Sequence, residues 1–203
     1  MRPRRGGALR NLFDAEFYRA SYPDLPKRIS PLLHFIVTGA FEGRQPHPLF
    51  DTRFYLRTYP DVSAAKVSPL GHFLKYGGAE GRLPHPLFDS AFYLDRYPDI
   101  RQTGMNPLVH FVLYGAAEGR KPHPLFQPDY YLSRCPEAGI SKNPLLHFLN
   151  SSVSSCGSPH LLFDCEHYLA RHPDLVAQGI NPLMHYVLAQ GGFDAGTEGW
   201  CLF

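Results

Sequence analysis

The sequence predicts an all-α protein, an array of five short helical-hairpin repeats that stack like a solenoid and are linked by Pro/Gly-rich extended returns. Three observations predict this fold. A Phe-Asp landmark recurs with spacings of 37, 38, 38 and 37 residues, which is the signature of a repeat architecture. Proline accounts for 20 of 203 residues and separates short elements. Aromatic and aliphatic residues recur at helical spacing inside each repeat.

The five repeats cover residues 13–193 and start near residues 13, 50, 88, 126 and 163. A disordered basic tail is expected at residues 1–12, and a C-terminal tail at residues 194–203. Each repeat contains a Pro-acid pair and, further on, a Pro-Leu pair with a histidine three residues after its proline. So many landmarks in phase define the organisation of the chain.

The first element of each repeat is a helix that begins at the landmark aspartate. In repeat 2, Asp51 can accept hydrogen bonds from the free N–H groups of the first turn. Phe54, Tyr55 and Tyr59 then form one aromatic stripe. Pro60 ends the helix, because the residue before a proline avoids α geometry, and the same proline suits the first position of a second short turn.

The second helix of the hairpin begins at the Asn-Pro-Leu motif. In repeat 3, Gly104 is suited to the left-handed cap that closes the preceding turn. Asn106 is then the N-cap and Pro107 the first helical residue. Gly115 ends this helix, and the Pro-rich stretch after it is predicted to be turn and extended chain. Helices this short are marginal alone, so neighbouring repeats must share a core.

Repeats 4 and 5 depart from the pattern. Gln127 replaces the landmark aspartate of repeat 4, and residues 151–157 replace its Gly-x-x-Glu-Gly-Arg segment. Repeat 5 lacks both that segment and the Pro-His-Pro motif. Atypical terminal repeats are expected of caps.

The charge pattern excludes several function classes. The chain has 20 basic and 18 acidic residues, and four of the arginines fall in the first ten residues. The rest lacks the clustered basic footprint of a nucleic-acid-binding protein. There is no secretory signal and no apolar span, and the four cysteines form no C-x-x-C pair. We therefore expect a cytoplasmic protein.

Two histidine ladders run through the repeats. Equivalent positions of stacked repeats lie about 8–10 Å apart, too far for shared zinc ligands. We therefore expect the ladder on the second helix to be half-buried and bonded to a carbonyl or a neighbouring aspartate. The ladder in the returns is expected to pack as turn residues. The first ladder is His34, His72, His110, His147 and His185, and the second is His47, His85, His123 and His160.

The Glu-Gly-Arg motif supplies the remaining candidate interaction residues. It could present a charged edge to a ligand. The structural alternative is that each arginine pairs with the landmark residue of the next repeat (Asp51, Asp89 or Gln127) and locks adjacent repeats together. The motif residues are Glu42, Glu80 and Glu118 with Arg44, Arg82 and Arg120.

The repeat pattern reads Phe-Asp-x-x-Phe-Tyr-Leu-x-x-Tyr-Pro-Asp, then Asn-Pro-Leu-x-His-Phe-x-x-x-Gly-x-x-Glu-Gly-Arg-x-Pro. It resembles a tandem repeat of bacterial proteins. That repeat is most often attached to glycosyltransferases of surface-polysaccharide synthesis, and sometimes to secreted calcium-binding repeat proteins. The resemblance covers all five repeats. It implies a module that works beside carbohydrate-active enzymes and no activity of the repeat itself.

No catalytic motif accompanies the repeats. The sequence lacks G-x-G-x-x-G, a Walker loop, G-x-S-x-G and H-E-x-x-H, and five repeats leave no room for a nucleotide-binding α/β domain. We therefore predict a non-catalytic interaction module without cofactor or metal, whose partner is a glycosyltransferase or a polysaccharide-assembly component. The alternatives are a carbohydrate-binding repeat, a metal-binding array and a detached non-catalytic part of a glycosyltransferase.

Overall fold

The computed structural model describes residues 5–153 and 157–191. The chain divides into two compact units, residues 1–113 and 114–203. Regular secondary structure in the described residues is helical, and the same helix pairs recur from repeat to repeat, which confirms the predicted all-α repeat array. Over this part of the chain, no helix is long and apolar enough to cross a membrane. The predicted C-terminal tail at residues 194–203 lies outside the described residues.

The first unit holds repeats 1 and 2 and most of repeat 3. Each repeat has a first helix and a third helix, and repeats 2 and 3 have a middle helix between them. The first helices are Ala15–Ser21, Thr52–Thr58 and Ser90–Arg96, the middle helices are Pro60–Ala65 and Pro98–Thr103, and the third helices are Pro31–His34, Pro69–His72 and Pro107–His110.

The predicted helix ends are confirmed. The carboxylate of Asp51 accepts a hydrogen bond from the backbone N–H of Phe54 at 2.8 Å. Pro60 begins the middle helix directly after the first helix ends. Gly104 closes the middle helix of repeat 3 in the left-handed conformation, at φ 67°, and Asn106 caps the third helix with its side-chain oxygen. Local capping chemistry therefore sets the length of each helix.

The third helix is the one that the sequence predicts as the second helix of the hairpin, and its second half differs from the prediction. In repeats 1 to 3 it continues as a π-helix, with hydrogen bonds from residue i+5 to residue i. The N–H of Gly78, for example, donates to the carbonyl of Phe73 at 2.8 Å. The wider turn changes which side chains stack, because residues five apart lie over one another. The π-helices are Phe35–Gly39, Phe73–Gly77 and Phe111–Gly115.

The expected disordered tail is wrong over Arg5–Asn11, which form a helix. The residues that follow anchor it. Leu12 is completely buried, and the ring of Phe13 lies 5.3 Å from the Tyr18 ring. Burial of Leu12 and the ring contact of half-buried Phe13 fix the chain at the point where the helix ends.

Each repeat of the first unit packs three aromatic rings into a triangle. In repeat 2, Phe50 precedes the first helix, Tyr55 lies on it and Phe73 begins the π-helix. Their ring centroids are 5.5 to 5.8 Å apart, and the Tyr55–Phe73 pair is edge-to-face. All three side chains are fully buried. This geometry is favourable for aromatic pairs and adds to the burial of their apolar area.

The second unit repeats the plan with changes. Gln127 makes no side-chain cap, and Pro128 occupies the first helical position instead. The middle segment of repeat 4 is a 3₁₀-helix, and the third helices are regular α-helices. The elements are Pro128–Arg134, Pro136–Gly139, Pro144–Asn150, Cys165–Arg171, Asp174–Gln178 and Pro182–Gln190.

The Pro-rich returns pack against one another by backbone hydrogen bonds. In the first unit, the N–H of Asp51 donates to the carbonyl of Pro84 at 2.9 Å, and Asp14 and Pro46 are joined in the same way. Within each return, the histidine and the phenylalanine three residues later form an isolated backbone bridge. The returns thus pair their backbone polar groups without forming strands in the described residues.

Candidate functional site

The histidine ladder on the third helices is paired with a tyrosine ladder on the first helices. In every repeat a hydrogen bond of 2.8 to 3.0 Å joins Nδ1 of the histidine to the hydroxyl of a tyrosine of the same repeat. The pairs are Tyr18–His34, Tyr55–His72, Tyr93–His110, Tyr131–His147 and Tyr168–His185.

These pairs correct the expected partner of the histidines. The expected partner was a carbonyl or an aspartate, but the structure places the hydroxyl of a buried tyrosine there. Burial raises the pKa of Tyr18 to about 12, against the opposing effect of Arg44. Burial of a tyrosine requires a partner for its hydroxyl, and the histidine provides it. The ladder therefore holds the first and third helices of a repeat together.

The glycine at the end of each π-helix makes room for this pair. A Cβ on Gly77 would lie well inside contact distance of the Tyr55 hydroxyl oxygen, and Gly39 has the same relation to Tyr18. A Cβ on Gly39 would also lie 3.4 Å from Nδ1 of His34, five residues earlier. The sequence His-Phe-x-x-x-Gly is therefore a π-helix signature in which histidine and glycine stack.

Arg44 pairs within its own repeat. Its guanidinium lies 2.6 Å from a carboxylate oxygen of Asp24 and 2.6 Å from Glu42. It also stacks 4.8 Å from the centre of the Tyr22 ring. The expected pairing with Asp51 is wrong, because that carboxylate is buried and caps the next helix.

Repeat 2 builds the same cluster around Arg82. The guanidinium lies 2.8 Å from Asp61 and 2.7 Å from Glu80, and 4.8 Å from the centre of the Tyr59 ring. The hydrogen bond from Arg82 lowers the pKa of the Asp61 carboxyl. The hydroxyl of Tyr59 accepts a hydrogen bond from the N–H of Leu83 at 2.7 Å. The cluster ties the return to the start of the middle helix.

In repeat 3, the arginine again pairs with the glutamate of its own motif. Arg120 lies 2.6 Å from Glu118 in the second unit. Asp89, the second proposed partner, accepts from the N–H of Phe92 at 2.9 Å and so caps its helix. In the three repeats that carry it, the Glu-Gly-Arg motif thus pairs its own charges and stabilises the repeat.

The second histidine ladder belongs to the returns, as predicted. Nδ1 of His47 accepts a hydrogen bond from the N–H of Leu49 at 3.0 Å, and His85 does the same with Leu87. Burial lowers the pKa of His47 to about 4. A neutral imidazole thus closes this turn. In the described residues, no group of three or more histidine, cysteine or acidic side chains could hold a metal ion.

The structure also shows an apolar surface that sequence analysis missed. On the third helix of repeat 1 and directly after it, Ile36, Val37 and Phe41 are exposed, with Val37 at 65% and Phe41 at 60%. The equivalent positions of repeat 2 are Leu74, Lys75 and Ala79. Alignment of the repeats could have predicted this surface, because repeat 1 has Val37 and Phe41 where repeat 2 has a lysine and an alanine.

A smaller exposed feature is Tyr76, on the π-helix of repeat 2. Its side chain is 46% exposed, and the ammonium group of Lys75 lies 4.5 Å from the ring centre. Tyr114, its equivalent in repeat 3, is also exposed. Exposed tyrosine rings of this kind can stack on a flat apolar ligand face.

Comparison of the chain with protein-family models, curated proteins and solved structures finds no match.

Proposed function

We propose that this protein is a non-catalytic interaction module that docks a protein partner through repeat 1. The partner in this proposal is a glycosyltransferase or another component of polysaccharide assembly, and the setting is the cytoplasm. The exposed apolar surface of Ile36, Val37 and Phe41 carries the proposal. Contiguous exposed apolar residues rimmed by polar ones are typical of protein-binding surfaces. The partner class rests on the resemblance of the repeat.

The recurring histidines and arginines support a structural role for themselves, because their polar groups already have partners within the repeat. The histidines are bonded to buried tyrosines, and the motif arginines to carboxylates of their own repeat. Such satisfied groups stabilise the fold. The surface that distinguishes one repeat from another is therefore the better place to look for binding.

The test is a quantitative pull-down from native lysate, read by mass spectrometry. The bait is the tagged full chain, and the comparison is the double variant Val37→Ser/Phe41→Ser. A matched control, Leu161→Ser/Leu162→Ser, removes two exposed leucines of the second unit. We expect enrichment of a glycosyltransferase or export component that falls about tenfold or more in the repeat 1 variant only. Equal enrichment by all three baits, or no enrichment, contradicts the proposal.

A carbohydrate-binding module is the second candidate, and exposed Tyr76 favours it. In this case the tyrosine ring stacks on a sugar face. Binding to a glycan array, abolished by Tyr76→Ala and retained by Val37→Ser/Phe41→Ser, would select this function over protein docking.

A further inference from the structure

Consecutive Pro-rich returns are joined by a backbone hydrogen bond that recurs along the chain. The donor is the N–H of the residue that caps the first helix of a repeat or stands in the place of that cap. The acceptor is a carbonyl of the next return. The pairs are Asp14–Pro46, Asp51–Pro84 and Gln127–Pro159, each at 2.9 Å. Each of these returns therefore receives the next one at its backbone edge.

A leucine lies two residues before each of these donors and is shielded from water. Leu12 and Leu49 are completely buried, and Leu125 is half-buried. Burial of such a side chain removes its apolar area from water and stabilises the fold. A leucine at this position therefore belongs to the core wherever another return is bonded beside it.

The return at residues 159–164 departs from this pattern. Leu162, the equivalent of Leu49, is 80% exposed, and Leu161 beside it is 75% exposed. The N–H of Asp164, the equivalent of the donor of Asp51, has no acceptor in residues 5–153 and 157–191. This open edge, formed by Leu161, Leu162 and the N–H of Asp164, thus presents apolar surface and a free donor where another return would bind.

The sequence after residue 191 contains the residues of a further return. A Leu-Phe pair precedes the first helix of all five repeats, and the same pair occurs once more at Leu202-Phe203. The landmark phenylalanines follow one another by 37 or 38 residues, and Phe203 follows Phe163 by 40. Leu202 and Phe203 thus stand close to the positions where the repeat period would place the next pair.

The link to this segment is long enough to reach the open edge. In repeat 2, Leu87 follows Gly77, which ends the π-helix, by ten residues. The equivalent of Gly77 in repeat 5 is Gln190, the end of its third helix, and Leu202 follows it by twelve. The link therefore has two residues more than repeat 2 needs. A tether of suitable length also gives the segment a high effective concentration at the edge.

We propose that residues 192–203 of the same chain bind to the open edge and close the repeat array. Leu202 and Phe203 cover Leu161 and Leu162, and a carbonyl of the segment accepts the hydrogen bond from the N–H of Asp164. Repeat arrays need such a cap, because an uncovered apolar end lowers solubility. This assignment goes beyond the proposed function, which concerns repeat 1, and does not depend on it.

Trp200 reports on this segment without a label, because it is the only tryptophan of the chain. In the full chain, we expect its emission to be shifted to the blue and its quenching by acrylamide to be reduced, both relative to the urea-unfolded chain. Leu162→Ser should remove both differences while the far-UV circular dichroism is retained. Ile140→Ser, at an 88% exposed residue of the same unit, is the matched control and should leave both unchanged. Emission and quenching equal to those of the unfolded chain, or insensitive to Leu162→Ser, would overturn the assignment.

Melting temperatures test the contact from both sides. Leu162→Ser and Leu202→Ser/Phe203→Ser should each lower the melting temperature by about 4–8 °C, because each removes apolar area that the contact buries. Combining these variants should add little, since they remove the same contact. Ile140→Ser should change the melting temperature by no more than about 1–2 °C. Additive losses, or a loss in Leu162→Ser as small as that in Ile140→Ser, would contradict the proposal.

Dilution distinguishes binding within one chain from exchange between two copies. We expect the Trp200 emission to be independent of protein concentration, because the segment is tethered to its site. A blue shift lost on dilution, together with a dimer in sedimentation velocity that Leu202→Ser/Phe203→Ser converts to a monomer, would assign the edge to the segment of a second copy. That result would overturn binding within one chain. A partner that depends on Val37 and Phe41 in the pull-down would leave the proposed function standing after any of these results.

Discussion

Replacement of Gly77 by alanine tests whether glycine is required here because a Cβ would collide with the Tyr55 hydroxyl that bonds to His72. The added Cβ would collide with the Tyr55 hydroxyl, whereas the next atoms, in the rings of Tyr55 and Phe73, are at an acceptable 3.4 Å. The tyrosine must move and break its 3.0 Å bond to His72. Overpacking costs about 1–3 kcal/mol, and an unsatisfied buried hydroxyl costs about 1–3 kcal/mol. We expect Gly77→Ala to lower the free energy of unfolding by about 3 kcal/mol.

The second variant, Tyr55→Phe, removes the hydroxyl and with it the collision. Alone it should cost about 1 kcal/mol for the lost hydrogen bond. In the double variant, alanine meets only ordinary contacts and gains about 1 kcal/mol of helix propensity over glycine. The double variant should therefore be close to the wild type, and the coupling energy between Gly77 and Tyr55 should have a magnitude of about 4 kcal/mol.

Urea unfolding followed by far-UV and near-UV circular dichroism measures all four proteins. Gly71→Ala is the matched control, because Gly71 is an exposed residue of the same third helix whose added Cβ would meet only Ser68, at 3.3 Å or more. It should be neutral or slightly stabilising. If Gly77→Ala costs as much in the Tyr55→Phe background as in the wild type, the glycine serves the backbone of the π-helix, and the steric reasoning is refuted.

Two further predictions concern buried polar groups. Burial lowers the pKa of His47 from 6.5 to about 4. As the pH falls through this range, His47 is therefore protonated in the unfolded chain but stays neutral in the folded chain. Stability should fall by about 1.4 kcal/mol per pH unit on this account, about 3 kcal/mol in all. In urea titrations from pH 7 to pH 4.5, His47→Asn should flatten the dependence, since asparagine can accept the same turn hydrogen bond, whereas the exposed His167→Asn should not. Ser90→Ala should be neutral or stabilising by urea midpoint, because the Ser90 hydroxyl is buried with no hydrogen-bond partner in the described residues. Thr52→Ala should cost about 1 kcal/mol, because the equivalent hydroxyl donates to the carbonyl of Arg44 at 2.8 Å. A larger loss of stability in Ser90→Ala than in Thr52→Ala would contradict this difference in hydrogen bonding.

Helix boundaries were predictable because they depend on local chemistry. Asp51 as a cap, Pro60 as a stop and start, and Gly104 as a left-handed cap each act on a backbone within a few residues. Capping preferences and proline geometry therefore suffice. The repeat period then carries each local result to the other repeats.

Partner choice across a repeat was not predictable in the same way. Arg44 has two candidate carboxylates by sequence, Asp24 before it and Asp51 after it. The path of the return decides between them, and residue spacing does not encode that path. One constraint was available, since Asp51 was already assigned to capping. A carboxylate that accepts helix N–H bonds is poorly placed to pair with a distant guanidinium.

The π-helices show a similar gap between pattern and geometry. The motif His-Phe-x-x-x-Gly is visible in the sequence, but a 3.6-residue period gives no reason for a glycine five residues after a histidine. The reason is the buried hydroxyl of Tyr55, which comes from another helix and excludes a Cβ at Gly77. In repeats 4 and 5 the equivalent residues are Ser152 and Gln190, and the third helices there are regular α-helices. The π geometry thus follows the glycine from repeat to repeat.

The residues that define the repeat are therefore those that fold it. Tyr55, His72 and Arg82 have their polar groups bonded within one repeat, so substitutions there would change stability before they revealed any binding role. Function is better sought where repeats with the same fold differ in sequence. Phe41 meets this criterion, since repeat 2 has Ala79 in its place and the helices keep the same order. A large apolar side chain exposed to water lowers solubility, which is the physical reason to propose this position as a contact for a partner.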